Sequence, residues 1–356
     1  MNRKIYQLLA DVSEHDAITN LSLRIQKILQ NSKQQSLIYS SGTIFNNGLS
    51  DTIFPAREMG NLKDNDLLIY HFSIGSDATD IFRKSKAKKM IYYHNITPAK
   101  YLLPYSDGYA SLLRSGREEL KNLVQIADFA LADSKFNALE LTKLGFNHVK
   151  VLPLSMDEDH LKIKHDDSVT RQFKSDTEVF LFVGRIVPNK NIEGLIKTFY
   201  YYCNSINHNS KMIIIGSIDN LPAYYIHLKK IIKSLSLQEK VIFTGKIPIA
   251  QLLAYYKRAN AFISLSEHEG FCLPLVESMY FDIPVFALNR AAVQETLGGA
   301  GVLIETLDYK SIAELIKLVL NNHILKEQIC QAQRKRLHEL SYENYQKRLL
   351  KELIFE

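Results

Sequence analysis

Nowhere in the 356 residues does an apolar run approach the ~18 residues that a membrane-crossing helix needs. The expectation is a chain that is not integral to a membrane. The N-terminus, MNRKIYQLLADVSEHD, also lacks the longer apolar stretch and the small-residue cleavage site of a signal peptide. Asp11, Glu14 and Asp16 interrupt it too early. Cysteine is scarce: Cys203, Cys272 and Cys330 are odd in number and have no metal-ligand spacing, which reads as a reduced, cytoplasmic chain. Charge of one sign is scarce as well. A formal net charge of +6 is modest for this length. It suits an anionic ligand or an anionic membrane surface and is too weak to argue for nucleic acid, for which there is no motif either. Two glycine patterns are missing. Without Gly-x-x-x-x-Gly-Lys-Ser/Thr there is no P-loop, and no Gly-x-Gly-x-x-Gly follows an early strand. The second absence weighs against a nicotinamide-dependent oxidoreductase or epimerase. LGGAG (297–301) is glycine-rich but precedes a strand instead of opening a helix.

What is present is a globular composition, 46% hydrophobic and 23% charged, long enough for two domains. Short apolar runs alternate with helical patterns. Strands are expected at 4–10, 35–40, 66–72, 88–94, 129–133 and 149–154, with helices between them, for example 20–30 and 116–127. Alternating β and α elements imply parallel sheets covered on both faces. The polar stretch 155–177 breaks the pattern and marks a domain junction. The alternation restarts with strands at 178–184, 211–217, 240–245, 261–266, 284–289 and 301–305. Helices are expected at 191–203, 227–237, 249–259, 274–281, 310–322 and through the final stretch. The fold class is therefore α/β, with two consecutive Rossmann-like halves. Ligands of such sheets bind beyond the carboxyl ends of the strands, so residues just after each strand are the candidates. Two such domains facing each other would make a cleft.

After the strand FLFVG come Arg185, Lys190 and Asn191, then a helix. Two cations beside a helix N-terminus can neutralise a diphosphate, and the same residues would equally suit a solvated basic loop. The stretch SEHEGFCLPLVES (266–278) carries Glu269 and Glu277 with seven residues between them. Pro274 suits the first turn of a helix, which puts the backbone N–H groups around Phe271, Cys272 and Leu273 at a helix N-terminus, an anion site. Glu277 falls about one turn into that helix. Glu269 falls in the loop before it, where a carboxylate can accept hydrogen bonds from sugar hydroxyls. For either glutamate alone a structural role, such as a helix-dipole interaction for Glu277, would serve as well.

With the glycine, the proline and the preceding strand, the pattern resembles the retaining glycosyltransferases of family 4, which have the two-domain GT-B fold. Their glutamate pair stands here as Glu269-Gly-Phe-Cys-Leu-Pro-Leu-Val-Glu277. MYFDIPVFA is similar to the family's helix end and following strand, with Tyr280 and Asp282 in place of the usual small residue and Gly. GRIVPNKN is similar to its phosphate-binding loop, and KVIFTGKI to the strand and turn flanking the nucleobase. In the first half HDAITN (15–20), YHFSIGS (70–76), YYHNITP (92–98), ADSKFNALELTKLGF (132–146) and VLPLSMD (151–157) resemble members that assemble bacterial polysaccharides. His15 stands where those often have Gly, and it would shape the edge of the acceptor pocket.

The resemblance implies an acceptor-binding domain over 1–157 and a nucleotide-sugar-binding domain over 176–341, with the helix 342–356 crossing back onto the first. It implies that Arg185 and Lys190 hold the donor diphosphate and that Glu277 binds the ribose. Glu269 would touch the transferred sugar, with Gly270, Phe271, Cys272 and Leu273 near sugar and phosphates. Gly245, Lys246 and Ile247 would edge the base. His94, at the end of the strand KKMIYYH, would project toward the sugar and join Glu269, Arg185 and Lys190 in catalysis. His94 would also suit a strand-end histidine bonded to backbone. His71 and Ser134 are weaker candidates. Asp16 and Asn20 would line the acceptor side or cap the first helix. The implied reaction transfers a hexose-type sugar from a GDP- or UDP-linked donor, with retention, to a glycan or lipid-linked acceptor in bacterial surface polysaccharide synthesis, the O-antigen of lipopolysaccharide or capsule. The departing phosphate would deprotonate the acceptor, with no cofactor or metal. Asp64-Asn65-Asp66 and Asp157-Glu158-Asp159 lie in polar connections and read as solvated loops. The alternative is a catalytically degenerate scaffold in a polysaccharide-assembly complex. RKSKAKK (83–89) leaves open a peripheral contact with the cytoplasmic face of the inner membrane, since clustered cations attract anionic lipid; a solvated turn explains it as well.

Overall fold

The computed structural model describes residues 3–13, 16–42, 51–156, 158–219 and 221–353. The expectations for His15 and for the Asp157–Asp159 side chains fall outside them. The chain divides into two compact units. The first is Met1–Lys100, Asp107–Pro153 and Glu343–Glu356; the second is Tyr101–Ser106 and Leu154–Tyr342.

The first unit is built on β1 (Ile5–Leu9), β2 (Ser36–Ser40), β3 (Ile53–Pro55), β4 (Leu67–Phe72), β5 (Lys88–Tyr93), β6 (Phe129–Ala132) and β7 (Val149–Val151). They form one sheet in the order β3-β2-β1-β4-β5-β6-β7. The pairings are parallel, with Leu8 beside both Tyr39 and Tyr70. A parallel sheet is covered on both faces, which is why β1 and β4 are buried at every residue and read as continuous apolar runs instead of alternating ones. The helix Ala17–Asn31 follows β1 and is capped by Asp16, whose carboxylate accepts from the backbone N–H of Ile18 and Thr19 at 3.0 Å each. The sequence reading missed β3. It has three residues, ends in Pro55 and lies at the sheet edge, where proline costs no ladder bond.

The second unit repeats the plan with β8 (Glu178–Val183), β9 (Ser210–Ile215), β10 (Val241–Gly245), β11 (Ala261–Ser264), β12 (Val285–Leu288) and β13 (Val302–Ile304). Their order is β10-β9-β8-β11-β12-β13, again parallel. Leu181, Ile213, Phe262, Val285 and Ala287 from the strands pack with Leu275 and Met279 of the helix Leu273–Tyr280 and with Tyr256 of the helix Ile249–Arg258. Together the two sheets are the expected pair of Rossmann-like halves. After the last strand the chain forms the helices Tyr309–Asn321, His323–Glu339 and Tyr342–Leu353. No helix among the described residues is long and apolar enough to cross a membrane.

One sequence expectation is corrected. Asp66 is not part of a solvated loop. It is buried, and its carboxylate accepts from the backbone N–H of Lys4 at 3.1 Å and of Lys63 at 2.9 Å, which ties the start of β4 to the residue before β1.

The ends of β8 and β9 approach so closely that glycine is required. A Cβ on Gly216 would lie 1.9 Å from the Gly184 carbonyl oxygen, and Gly216 has φ +153°. Gly216→Ala should therefore destabilise the chain by about 1–3 kcal/mol, the usual cost of overpacking. A urea titration of variant and parent would show it; coincident midpoints would mean that these strand ends have room to spare.

Candidate functional site

In the second sheet, chain order reverses between β8 and β11, which are hydrogen-bonded neighbours. The connections that leave two such strands turn to opposite faces and open a crevice between them. Both motifs singled out in the sequence sit there: residues 184–191 follow β8 and residues 265–272 follow β11.

The loop after β8 is anchored before it offers any charge. Ile186 and Val187 are buried, and Arg185 is exposed between them and the glycine floor. A 3-10 turn, Pro188–Lys190, then brings the chain to Asn191, in the left-handed region at φ 50°. Asn191 caps the helix Ile192–Ser205 through its side-chain oxygen, which accepts from Gly194 N–H at 3.1 Å. Asparagine tolerates this conformation better than most residues.

The two loops are clasped. The Asn189 amide donates to the His268 carbonyl at 3.1 Å, and the Glu267 N–H donates to the Asn189 carbonyl at 2.8 Å. This puts the Lys190 ammonium 2.6 Å from both carboxylate oxygens of Glu269. The side chains are only 15% and 7% exposed, so the pair is nearly dry. From the other side, Ala292 N–H reaches the Glu269 carbonyl at 3.3 Å, and the Thr296 hydroxyl donates to the Phe271 carbonyl.

Cys272 turns this loop into the helix. Its φ of 80° and ψ of 70° are left-handed, and no side chain caps the helix start it creates. Burial first, then the Glu269 carboxylate, push its thiol well above the usual range, so it is a protonated and unreactive sulfur. Pro274 lies in the first turn, as the sequence suggested. Glu277 is the fifth residue of the helix. The fully buried Tyr256 hydroxyl donates to its Oε2 at 2.7 Å. Burial and then Glu277 raise Tyr256 far above the usual tyrosine value, so it stays a donor, and its ring stacks on Phe281 at 5.3 Å.

Among the base-edge candidates, Gly245 ends β10 at φ 71°, and its carbonyl accepts from Gly216 N–H at 3.1 Å. Lys246 is exposed, and Ile247 packs against the core. In the first unit, Asp16 caps its helix and Asn20 is held in the first turn by the Asp16 carbonyl. Ser134 caps the helix Lys135–Leu144. His71 and His94 meet ring to ring, 3.0 Å apart at their nitrogens, and Asp133 closes on His94. Sequence reading missed Asn189, Tyr256, Gln7 and Asp133. Gln7 and Asp133 had a signal, a polar residue inside or at the end of an apolar strand. Tyr256 had none, because its partner lies on another element.

A chain with two Rossmann-like parallel sheets and this crevice has the GT-B architecture. Anabaena HepE, solved in complex with UDP and glucose, superposes with a TM-score of 0.78 at 17% identity, over 99% of this chain and all of that one. Residues 164–336 match the family described as Glycosyl transferases group 1, so this part of the second unit is a group 1 glycosyltransferase domain. The chain is 27% identical over 207 residues to the capsular polysaccharide biosynthesis glycosyltransferase CapM of Staphylococcus aureus, 56% of this chain and 50% of that one. It is 30% identical over 146 residues to the O-antigen chain mannosyltransferase RfbU of Salmonella typhimurium, 41% of this chain and 39% of that one. The chain thus spans about half the length, or less, of these curated relatives.

Two outcomes are expected. Replacing Glu269 or Lys190 singly by Met should cost about 3–5 kcal/mol, because a nearly dry charge is left alone, while the double replacement should cost much less. Chemical denaturation of the three variants checks this, and additive losses would contradict the ion pair. Cys272→Gly should raise the melting temperature slightly, since left-handed geometry costs a non-glycine residue about 1–2 kcal/mol and glycine's extra unfolded-state freedom offsets about 0.4–1. A lower melting temperature would mean that the thiol's packing outweighs the strain.

Proposed function

We propose that this chain is a retaining glycosyltransferase. It would move a hexose-type sugar from a nucleotide-diphosphate sugar, GDP- or UDP-linked, to a glycan or lipid-linked acceptor of a bacterial surface polysaccharide. The observation that carries the reading is the convergence of Arg185, Lys190, Glu269 and Glu277 at one switch point, beside a helix start that no side chain caps. The match to a group 1 glycosyltransferase domain and the likeness to capsule and O-antigen enzymes support the same class.

The donor's diphosphate enters beside Arg185 and the first turn of the helix Leu273–Tyr280, where cations and N–H groups favour negative charge. Lys190 already holds Glu269, so the diphosphate competes with that carboxylate for the ammonium. Glu269 is then available to accept from hydroxyls of the transferred sugar. Glu277, steadied by Tyr256, accepts from the ribose. In the reaction the sugar's anomeric carbon loses its bond to the diphosphate oxygen and gains one to the acceptor oxygen on the same face. The acceptor's proton passes to the departing phosphate. Arg185, Lys190 and the helix N–H groups stabilise the charge that gathers on that phosphate, the kind of preorganised electrostatics that lowers such barriers most. The reaction needs no covalent bond to Glu269 and no cofactor. Nucleotide sugars place it on the cytoplasmic side, with peripheral contact to the inner membrane where the acceptor is lipid-linked.

A melting-temperature panel of UDP, GDP and other nucleoside diphosphates should show one that stabilises the chain by mass action. With the matching sugar donor, Glu277→Ala should lose about 100-fold or more in transfer while its melting transition survives. Proton NMR of the product should show the donor's anomeric configuration. Wild-type turnover in Glu277→Ala, or an inverted product, would overturn the assignment, and failure to bind any nucleoside diphosphate would favour the scaffold role.

A further inference from the structure

The first unit contains a row of buried polar side chains that sugar transfer as just described does not use. Gln7 lies on β1 and His71 on β4; His94 stands just past β5 and Asp133 just past β6, so neighbouring strands supply one residue each. The Gln7 amide donates to the Ser22 carbonyl at 3.0 Å. Gln7 Oε1 lies 2.9 Å from His71 Nε2, and His71 Nδ1 lies 3.0 Å from His94 Nε2. His94 Nδ1 lies 2.9 and 3.1 Å from the two Asp133 oxygens. Gln7, His71 and Asp133 are buried, and the His94 side chain is 4% exposed, so the row is nearly dry.

Each link needs one hydrogen, and the direction of the whole row is set at one end. The Ser22 carbonyl can only accept, so the Gln7 NH2 faces it and Gln7 Oε1 faces His71. His71 Nε2 must then carry a hydrogen. Burial, and then the His94 ring, keep His71 well below the usual histidine pKa, so it is neutral and its Nδ1 is bare. His94 Nε2 must donate to that bare nitrogen. Between His94 Nδ1 and Asp133, two acceptors would face each other unless one further hydrogen sits between them.

We propose that Gln7 and His71 are positioning residues that fix a hydrogen on His94 Nε2, and that the His94–Asp133 pair consequently holds one further proton at neutral pH. Other titratable groups border the row. Tyr92 of β5 donates its hydroxyl to the Leu152 carbonyl at 3.1 Å and acts on Asp133; Tyr345 of the helix Tyr342–Leu353 acts on Tyr92; and Arg24 of the helix Ala17–Asn31 acts on Tyr345. Burial raises both tyrosines, so they stay neutral, and it raises the Asp133 carboxyl too, against the pull of His94 and Tyr92. A consequence that alone rests on the glycosyltransferase reading is that His94 has no free lone pair with which to deprotonate an acceptor, because Nε2 carries a hydrogen and Nδ1 is engaged with Asp133.

The test is a long-range proton–nitrogen correlation spectrum of the whole, nucleotide-free protein labelled with 15N-histidine. Signals are assigned by removing each ring in turn, His71→Asn and His94→Asn. At neutral pH His71 should show one bare nitrogen, Nδ1, and His94 should show none at Nε2. A bare Nε2 on His94 overturns the proposal. In Gln7→Met, which no longer dictates the direction, a bare nitrogen should appear on His94. An unchanged pattern in that variant would remove Gln7 from the role. If Gln7→Met does not fold, the wild-type spectrum still decides. None of these signals depends on sugar transfer, so a failed transfer assay and a failed proton assignment are told apart.

Discussion

The second unit depends on holding together two loops that sheet topology drives apart. After β8 and β11 the chain leaves toward opposite faces, and the Lys190–Glu269 pair with the Asn189 clasp spans the gap. A nearly dry ion pair is a poor source of net stability, because desolvation consumes most of the Coulomb attraction. Its effect is on geometry. With Lys190 fixed on both oxygens of Glu269, residues 267–269 lie along residues 189–190, and the chain reaches helix Leu273–Tyr280 in the one step that left-handed Cys272 provides. The site is close to neutral as it stands, and an anion that enters exchanges one partner of Lys190 for another.

The two units fill the same kind of position in different ways. Each sheet carries a row of residues contributed by neighbouring parallel strands, within them or just past their ends. In the second, glycines at 184, 216 and 245 leave a floor of bare backbone with charge above it. In the first, the equivalent edge is packed with side chains whose hydrogen bonds all depend on one backbone carbonyl, that of Ser22. A floor can take a bulky anion. A filled row instead holds hydrogens in place, because its nearly dry groups have each other as partners.

Much of the architecture was legible in the sequence. The parallel strands were visible because full burial makes them continuous apolar runs, as in LLIYHF and EVFLFV. Helix Leu273–Tyr280 was legible from Pro274 and its flanking glycine-containing loop. Glu269, Arg185 and Lys190 were visible as polar residues in the loops just past strands, and Glu277 as a carboxylate about one turn into the following helix. β3 was not, because three residues at an edge leave too short a pattern. Asp66 was read as solvated because a polar connection looks the same whether its carboxylate meets water or two backbone N–H groups.

The sequence by itself determined the two parallel sheets, their order of elements and which loops carry charge. Local periodicity and the residue types at the strand ends are enough for that. Only the tertiary structure decided who meets whom: Lys190 with Glu269 across 79 positions, Tyr256 with Glu277, and Gln7 with His71 across 64. Partner choice is set by strand order and by the distance between atoms of separate elements. Neither leaves a mark in the spacing of residues along the chain.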